Sequence, residues 1–174
     1  MSYDYVNSGH GLDVETLSKI VKISPQTFRV KLKRYHIEPT GNDVRLPSNN
    51  HSGKYSVSLY DAVCMLKYFI CDKFEKQSGM PANRCDSIGK FIGGLDPADK
   101  QLYNTDCMLF VEVDYEYNMG KVTLWNSIYG GDIDYETYNM IILMEYSDCI
   151  EKYKQIKVTM NEYYNMTKAV DNER

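Results

Sequence analysis

The dipeptide Ser24-Pro25 is a strong helix-start signal. A serine hydroxyl accepts from the first free amides of a helix, and proline at the first helical position lacks only a donor that would be orphaned there. A helix therefore starts at this pair and is expected to run through His36, with Pro39 and Gly41 ending it. Phe28, Leu32 and Tyr35 recur at helical spacing and form one apolar stripe, leaving Gln26, Arg29, Lys31, Lys33 and Arg34 on the other faces. Upstream, Asp13 reads as the cap of a short helix with Val14, Leu17 and Val21 or Ile20 on its apolar face. Only Lys22-Ile23-Ser24 separates the two helices.

Two short helices joined by so tight a turn, the second of them basic, make a helix-turn-helix. The second helix of such a pair lies in a major groove with its early residues against base edges. Arginine is the natural reader of guanine and glutamine of adenine, so Gln26, Thr27 and Arg29 are the candidate base-reading residues. Lys31, Lys33 and Arg34 further along, with Arg45 and Lys54, are the candidate phosphate contacts. Val44-Arg45-Leu46 and Lys54-Tyr55-Ser56-Val57 read as short strands around the polar cluster at residues 47–53, a wing-like hairpin. Ser58 is then expected to cap a third helix from Leu59 to about Lys76, packed through Ala62, Val63, Leu66, Phe69 and Ile70.

Over residues 12–72 this arrangement resembles the winged helix-turn-helix of the mercury-resistance-regulator and excisionase superfamily. It is especially similar to the version at the N-terminus of phage small terminase subunits and related phage regulators. The matching residues are Ser24, Thr27, Phe28 and Arg29 at the opening of the recognition helix, Ile37 and Pro39 at its end, and Tyr55, Val57, Asp61 and Ala62 at the entry to the helix after the wing. Asp61 and Ala62 fall a few residues further on than in the tightest examples. The resemblance implies a phage-encoded protein that binds double-stranded DNA.

Beyond the third helix the composition shifts. Gly79, Pro81, Gly89, Gly93, Gly94 and Pro97 mark residues 77–106 as a linker. From Phe110 to Tyr117 apolar and acidic residues alternate, as in a half-buried strand with an acidic outer face. Asn118-Met119-Gly120 turns it into a second strand over Lys121–Trp125. From Asp132 to Arg174 neither glycine nor proline occurs, and one long helix, or two with a break, is expected. Ile142, Tyr146, Cys149, Tyr153, Ile156, Met160 and Tyr163 there are spaced as a heptad seam. The seam serves either self-association, with a dimer favoured, or an intramolecular core, and Ile156–Thr159 also reads as a strand. The fold class is thus α+β: a loose N-terminus (1–10), a winged helix-turn-helix (11–76), a linker (77–106), and a hairpin plus long helix (107–174) for oligomerisation or partner docking.

Charge bears on the partner. Of the 174 residues, the first 75 hold ten Lys and Arg against eight Asp and Glu, whereas the remainder holds ten against sixteen. A polyanion is therefore expected to bind the first part, and the acidic second part to face solvent or a host or phage protein. Five cysteines without a close pair, and three well-separated histidines, argue against a disulfide framework or a zinc site. The acidic strand face and Asp132, Asp134 and Glu136 suggest a magnesium-dependent nuclease site, but that needs a lysine or histidine nearby, Lys121 is the only candidate, and no ligand motif is present. Carboxylate mimicry of DNA would need a stronger excess of acid. No apolar run approaches the roughly 18 residues that span a bilayer, and the first residues lack the pattern of a secretory signal, so cytoplasm is the expected compartment. Signatures of nucleophilic, phosphate-loop or zinc-hydrolase catalysis do not occur in the sequence. The sequence therefore points to a non-enzymatic, sequence-specific DNA-binding regulator without a cofactor. The alternatives are a small terminase subunit that recognises packaging DNA, and an inhibitor of a host enzyme.

Overall fold

The computed structural model describes residues 11–45, 55–79, 81–84, 86–95, 107–114, 119–126 and 140–172. The architecture is α+β. Helix α1 (Val14–Val21) starts at Asp13, whose carboxylate accepts from the Thr16 amide at 2.8 Å. Helix α2 (Pro25–Arg34) starts at Ser24, whose hydroxyl oxygen accepts from the Thr27 amide at 3.1 Å. Both caps stand where the residue types place them.

The ends of these helices carry no glycine. Lys22 (φ 59°) and His36 (φ 55°) both adopt the left-handed conformation. Each lets the next amide reach back into the helix: Ile23 donates to the Ser18 carbonyl at 3.1 Å, and Ile37 to the Leu32 carbonyl at 3.0 Å. This paired closure satisfies carbonyls that a helix end would orphan. Helix α2 was expected to continue through His36 to a stop at Pro39. It ends at Arg34 instead, because the turn at His36 swings Ile37 into the core.

Strands β1 (Gly41–Arg45) and β2 (Tyr55–Leu59) form an antiparallel pair, Gly41 opposite Leu59 and Arg45 opposite Tyr55. The chain just before α1 joins them: Leu12 and Tyr60 exchange amide–carbonyl bonds of 3.0 and 2.9 Å. Gly11 lies so close to this crossing that a Cβ there would sit 2.4 Å from the Tyr60 backbone. The expected hairpin loop, residues 47–53, and Lys54 lie outside the described residues.

Helix α3 (Ala62–Ser78) is capped by Asp61, which accepts from the Cys64 amide at 2.9 Å. Ser58, expected as the cap, belongs to β2, since the strand continues to Leu59 and delays the helix start. Helix α3 is the centre of the molecule. Met65, Leu66, Tyr68, Ile70, Cys71 and Phe74 are buried around it, with α1 and α2 supplying Leu17, Phe28, Leu32 and Tyr35 to the same cluster. The Tyr68 ring meets Phe28 edge-on at 5.1 Å and Tyr35 at 5.8 Å.

The stretch expected as a linker contributes to this core. A short 3-10 turn (Ala82–Arg84) buries Ala82, and helix α4 (Asp86–Gly93) buries Ile88 and Ile92. Gly79 caps the end of α3, and Gly89 and Gly93 lie within α4.

Strands β3 (Cys107–Asp114), β4 (Met119–Asn126) and β5 (Met140–Glu145) form an antiparallel sheet in the order β4-β3-β5. The hairpin of β3 and β4 was expected; β5 was not. Ile142, expected on a helical seam, pairs with Val111 across the sheet. The continuous apolar run at residues 140–144 explains the difference, because a short run of that kind has no periodicity to separate strand from helix. Helix α5 (Tyr146–Asn172) follows β5 directly, and residues 156–159 are helical within it.

Cys149, Tyr153, Ile156 and Met160 are all buried, in one cluster with residues of α3. The seam expected to serve oligomerisation is therefore an intramolecular one over these four positions. Apolar spacing shows that a face is covered, not by what. Tyr146 opens α5, and Tyr163 is exposed.

Candidate nucleic-acid interface

Helix α2 is held on the core by three groups. Phe28 and Leu32 are buried on its inner face, and Tyr35 follows them at its C-terminus. Two of the cations expected to contact phosphate reinforce that attachment. The Lys31 ammonium donates to Asp72 Oδ1 at 2.6 Å, and the Arg34 guanidinium to Glu75 Oε2 at 2.6 Å. The Tyr35 hydroxyl donates to the same Glu75 oxygen at 2.9 Å, while Glu75 Oε1 accepts the Ala82 amide at 3.0 Å. Glu75 thereby ties α2, α3 and the turn before α4 together.

The electrostatics follow from burial. Burial pushes the Asp72 carboxyl up, but the hydrogen bonds and charges of Lys31 and Lys76 outweigh it, so the group titrates below the ordinary aspartate value. Burial raises the Tyr35 and Tyr68 hydroxyls well above the ordinary phenol, and the carboxylates of Asp72 and Glu75 push in the same direction. Burial also raises the Cys64 thiol, and takes that of Cys149 to about 11. Both therefore remain thiols at neutral pH, which suits packing rather than nucleophilic chemistry.

The outward face of α2 is built differently. Gln26, Val30 and Lys33 are exposed and recur at i, i+4 and i+7, opposite the buried stripe. Arg29 and Thr27 flank them, also exposed. The Thr27 hydroxyl is positioned by the cap, 2.8 Å from the donating Ser24 hydroxyl. Arg29 pairs with Glu15 of α1 at 2.6 Å, with side chains 55% and 58% exposed. Such a pair is weak and exchanges readily for another anion.

Beside this face lies a concavity of about 690 Å³, edged by Arg29, Val30, Lys33, His36, Pro39 and Tyr60. It runs from α2 towards the base of the β1–β2 hairpin. Burial raises the Tyr60 hydroxyl, with Cys64 and Glu38 adding and the Arg29 charge opposing. Arg29, Lys33 and Arg34 line it against one carboxylate, Glu38, so the described lining keeps a positive balance that can hold an anion.

The expected site residues thus divide. Gln26, Thr27, Arg29 and Lys33 share one exposed surface, whereas Lys31 and Arg34 are anchors turned to α3. Arg45 ends β1. Val30 and His36 belong to the surface and were not anticipated. Val30, 55% exposed, was legible as the apolar member of the outward stripe. His36 became visible only through the left-handed turn that ends α2.

Among the described residues, no three His, Cys, Asp or Glu side chains converge as a metal site. No helix among the described residues is long and apolar enough to cross a membrane. Asp132, Asp134 and Glu136 lie outside the described residues, and Lys121 stands opposite Glu112 in the β3–β4 register. Comparisons with protein-family models, curated proteins and solved structures return no match for this chain.

Proposed function

We propose that residues 11–76 act as a winged helix-turn-helix that binds double-stranded DNA sequence-specifically through the outward face of α2. The protein would be a phage-encoded regulator rather than an enzyme. One observation carries this reading: Gln26, Val30 and Lys33 project from the side of α2 opposite Phe28 and Leu32, on a helix clamped to α3 by two ion pairs. A rigid helix with a mixed polar and cationic outer face suits a major groove. Gln26 and Arg29 then read adenine and guanine edges, Val30 meets a thymine methyl, and Lys33 meets phosphate.

The test is duplex binding over a salt series, on the wild type and on Arg29→Ala/Lys33→Ala. Expected is binding that weakens with salt, by about −0.9 in log K per log salt for each phosphate held, and that falls away in the variant. A folded protein that fails to bind duplex at low salt overturns the reading and favours a protein target such as a host enzyme.

Exposed Val158, Tyr163 and Met166 on α5 favour self-association beyond the buried seam. The mass in solution then separates two roles. A dimer fits a regulator on paired half-sites, and a larger ring fits the recognition of packaging DNA by a small terminase subunit.

A further inference from the structure

Behind α2, away from its outward face, a cavity of about 310 Å³ opens between the end of α1, α3 and α5. Ile20 and Ile23 form one wall, Phe69 of α3 a second, and Ile156 of α5 a third. The charged groups around it are Lys31, Lys76, Lys152 and Asp72. Asp72 is engaged on both oxygens, by Lys31 at 2.6 Å and by Lys76 at 2.7 Å. Lys31 and Lys76 thus share one carboxylate, and with Lys152 the described lining carries three ammonium groups against that single carboxylate, an excess of two positive charges. The Lys152 ammonium stands 5.7 Å from the Phe69 ring centroid, which holds a charge at the border of the apolar wall. The Lys76 side chain is 72% exposed, so its ammonium takes a second anion with little loss of hydration.

Small-molecule sites begin at about this volume and combine apolar walls with a few polar groups that orient the ligand. We propose that this cavity binds a small amphipathic carboxylate. Its hydrocarbon body lies against Ile20, Ile23, Phe69 and Ile156, and its carboxylate lies between Lys76 and Lys152. A cation is repelled by the lysine excess. A highly polar anion would leave the walls without an apolar partner, and a helical peptide exceeds the volume. The inference does not depend on the DNA reading, although Lys31 links the cavity to α2.

The test is calorimetric titration of the full chain, without DNA, using octanoate and the neutral 1-octanol. Expected is one octanoate per chain, held about five- to tenfold more tightly than the alcohol, as two solvent-facing ion pairs would supply. Lys76→Gln/Lys152→Gln removes that preference, and Thr159→Trp, which fills the cavity, abolishes binding of both. Circular dichroism melts verify that each variant is folded. No octanoate binding, equal affinity for acid and alcohol in the wild type, or binding that survives Thr159→Trp overturns the proposal.

Discussion

Lys31 of α2 and Asp72 of α3 meet at 2.6 Å, with 21% and 13% of their side chains exposed. A lysine that looks available to phosphate in the sequence is thus part of the joint that holds α2 in place. Asp72→Asn leaves Lys31 partly buried beside a neutral amide. The expected cost at neutral pH is about 1–2 kcal/mol, between the values for exposed and buried pairs. The pair also sets a pH dependence. The folded Asp72 titrates below the ordinary value, so its contribution is complete above the unfolded aspartate pKa of about 3.9 and is lost as pH falls through the lower folded value. Urea unfolding of wild type and Asp72→Asn at pH 7 and pH 2.5 should show the difference at neutral pH and a smaller one in acid.

Arg29→Ala and Lys31→Ala should separate surface from scaffold. Arg29→Ala should leave the melting temperature almost unchanged, because its pair with Glu15 is exposed, while DNA discrimination relaxes by about 1–3 kcal/mol at one base pair. Lys31→Ala should lower the melting temperature. Thermal melts beside binding to matched and mismatched duplexes read both effects.

His36→Gly should stabilise the protein by about 0.5–1 kcal/mol. A side chain at φ 55° is strained and glycine is not, although glycine also loosens the unfolded chain. Lys22→Gly, at φ 59°, should behave alike. Denaturant midpoints measure each, and an unchanged or lowered midpoint would count against the strain.

Gly11→Ala should destabilise by about 1–3 kcal/mol, since its Cβ would stand 2.4 Å from the Tyr60 backbone and must push the crossing apart. Amide hydrogen exchange at Leu12 and Tyr60 should rise in the variant, placing the loss at that bridge.

Tyr153→Ala should cost about 3–5 kcal/mol, as expected for a fully buried aromatic ring. The sedimentation mass of the folded fraction should stay the same, because Tyr153 faces this chain's own core. A change in mass at low cost would instead place the seam between chains.

Local chemistry was well expressed in the sequence. Asp13 and Ser24-Pro25 mark their helix starts because a cap acts within three residues. Phe28, Leu32 and Tyr35 mark the buried stripe because its period belongs to the helix itself. What stayed hidden depended on distant partners. The strand at residues 140–145 forms because β3 lies beside it, and Lys31 and Arg34 leave the outer surface because carboxylates wait on α3. Helix α4 reads as a linker until Ile88 and Ile92 meet the core.

Which segments near the N-terminus are helical, where they begin, and which face of α2 is apolar are written in local residue order, since hydrogen bonds and periodicity operate over a few residues. Which cations remain on the outside, what covers the α5 seam, and the lysine-edged cavity between α1, α3 and α5 emerge from packing alone. Those outcomes depend on groups far apart in the chain, Lys31 with Asp72 and Lys73 with Asp148 among them, and long-range pairing leaves no period in a sequence.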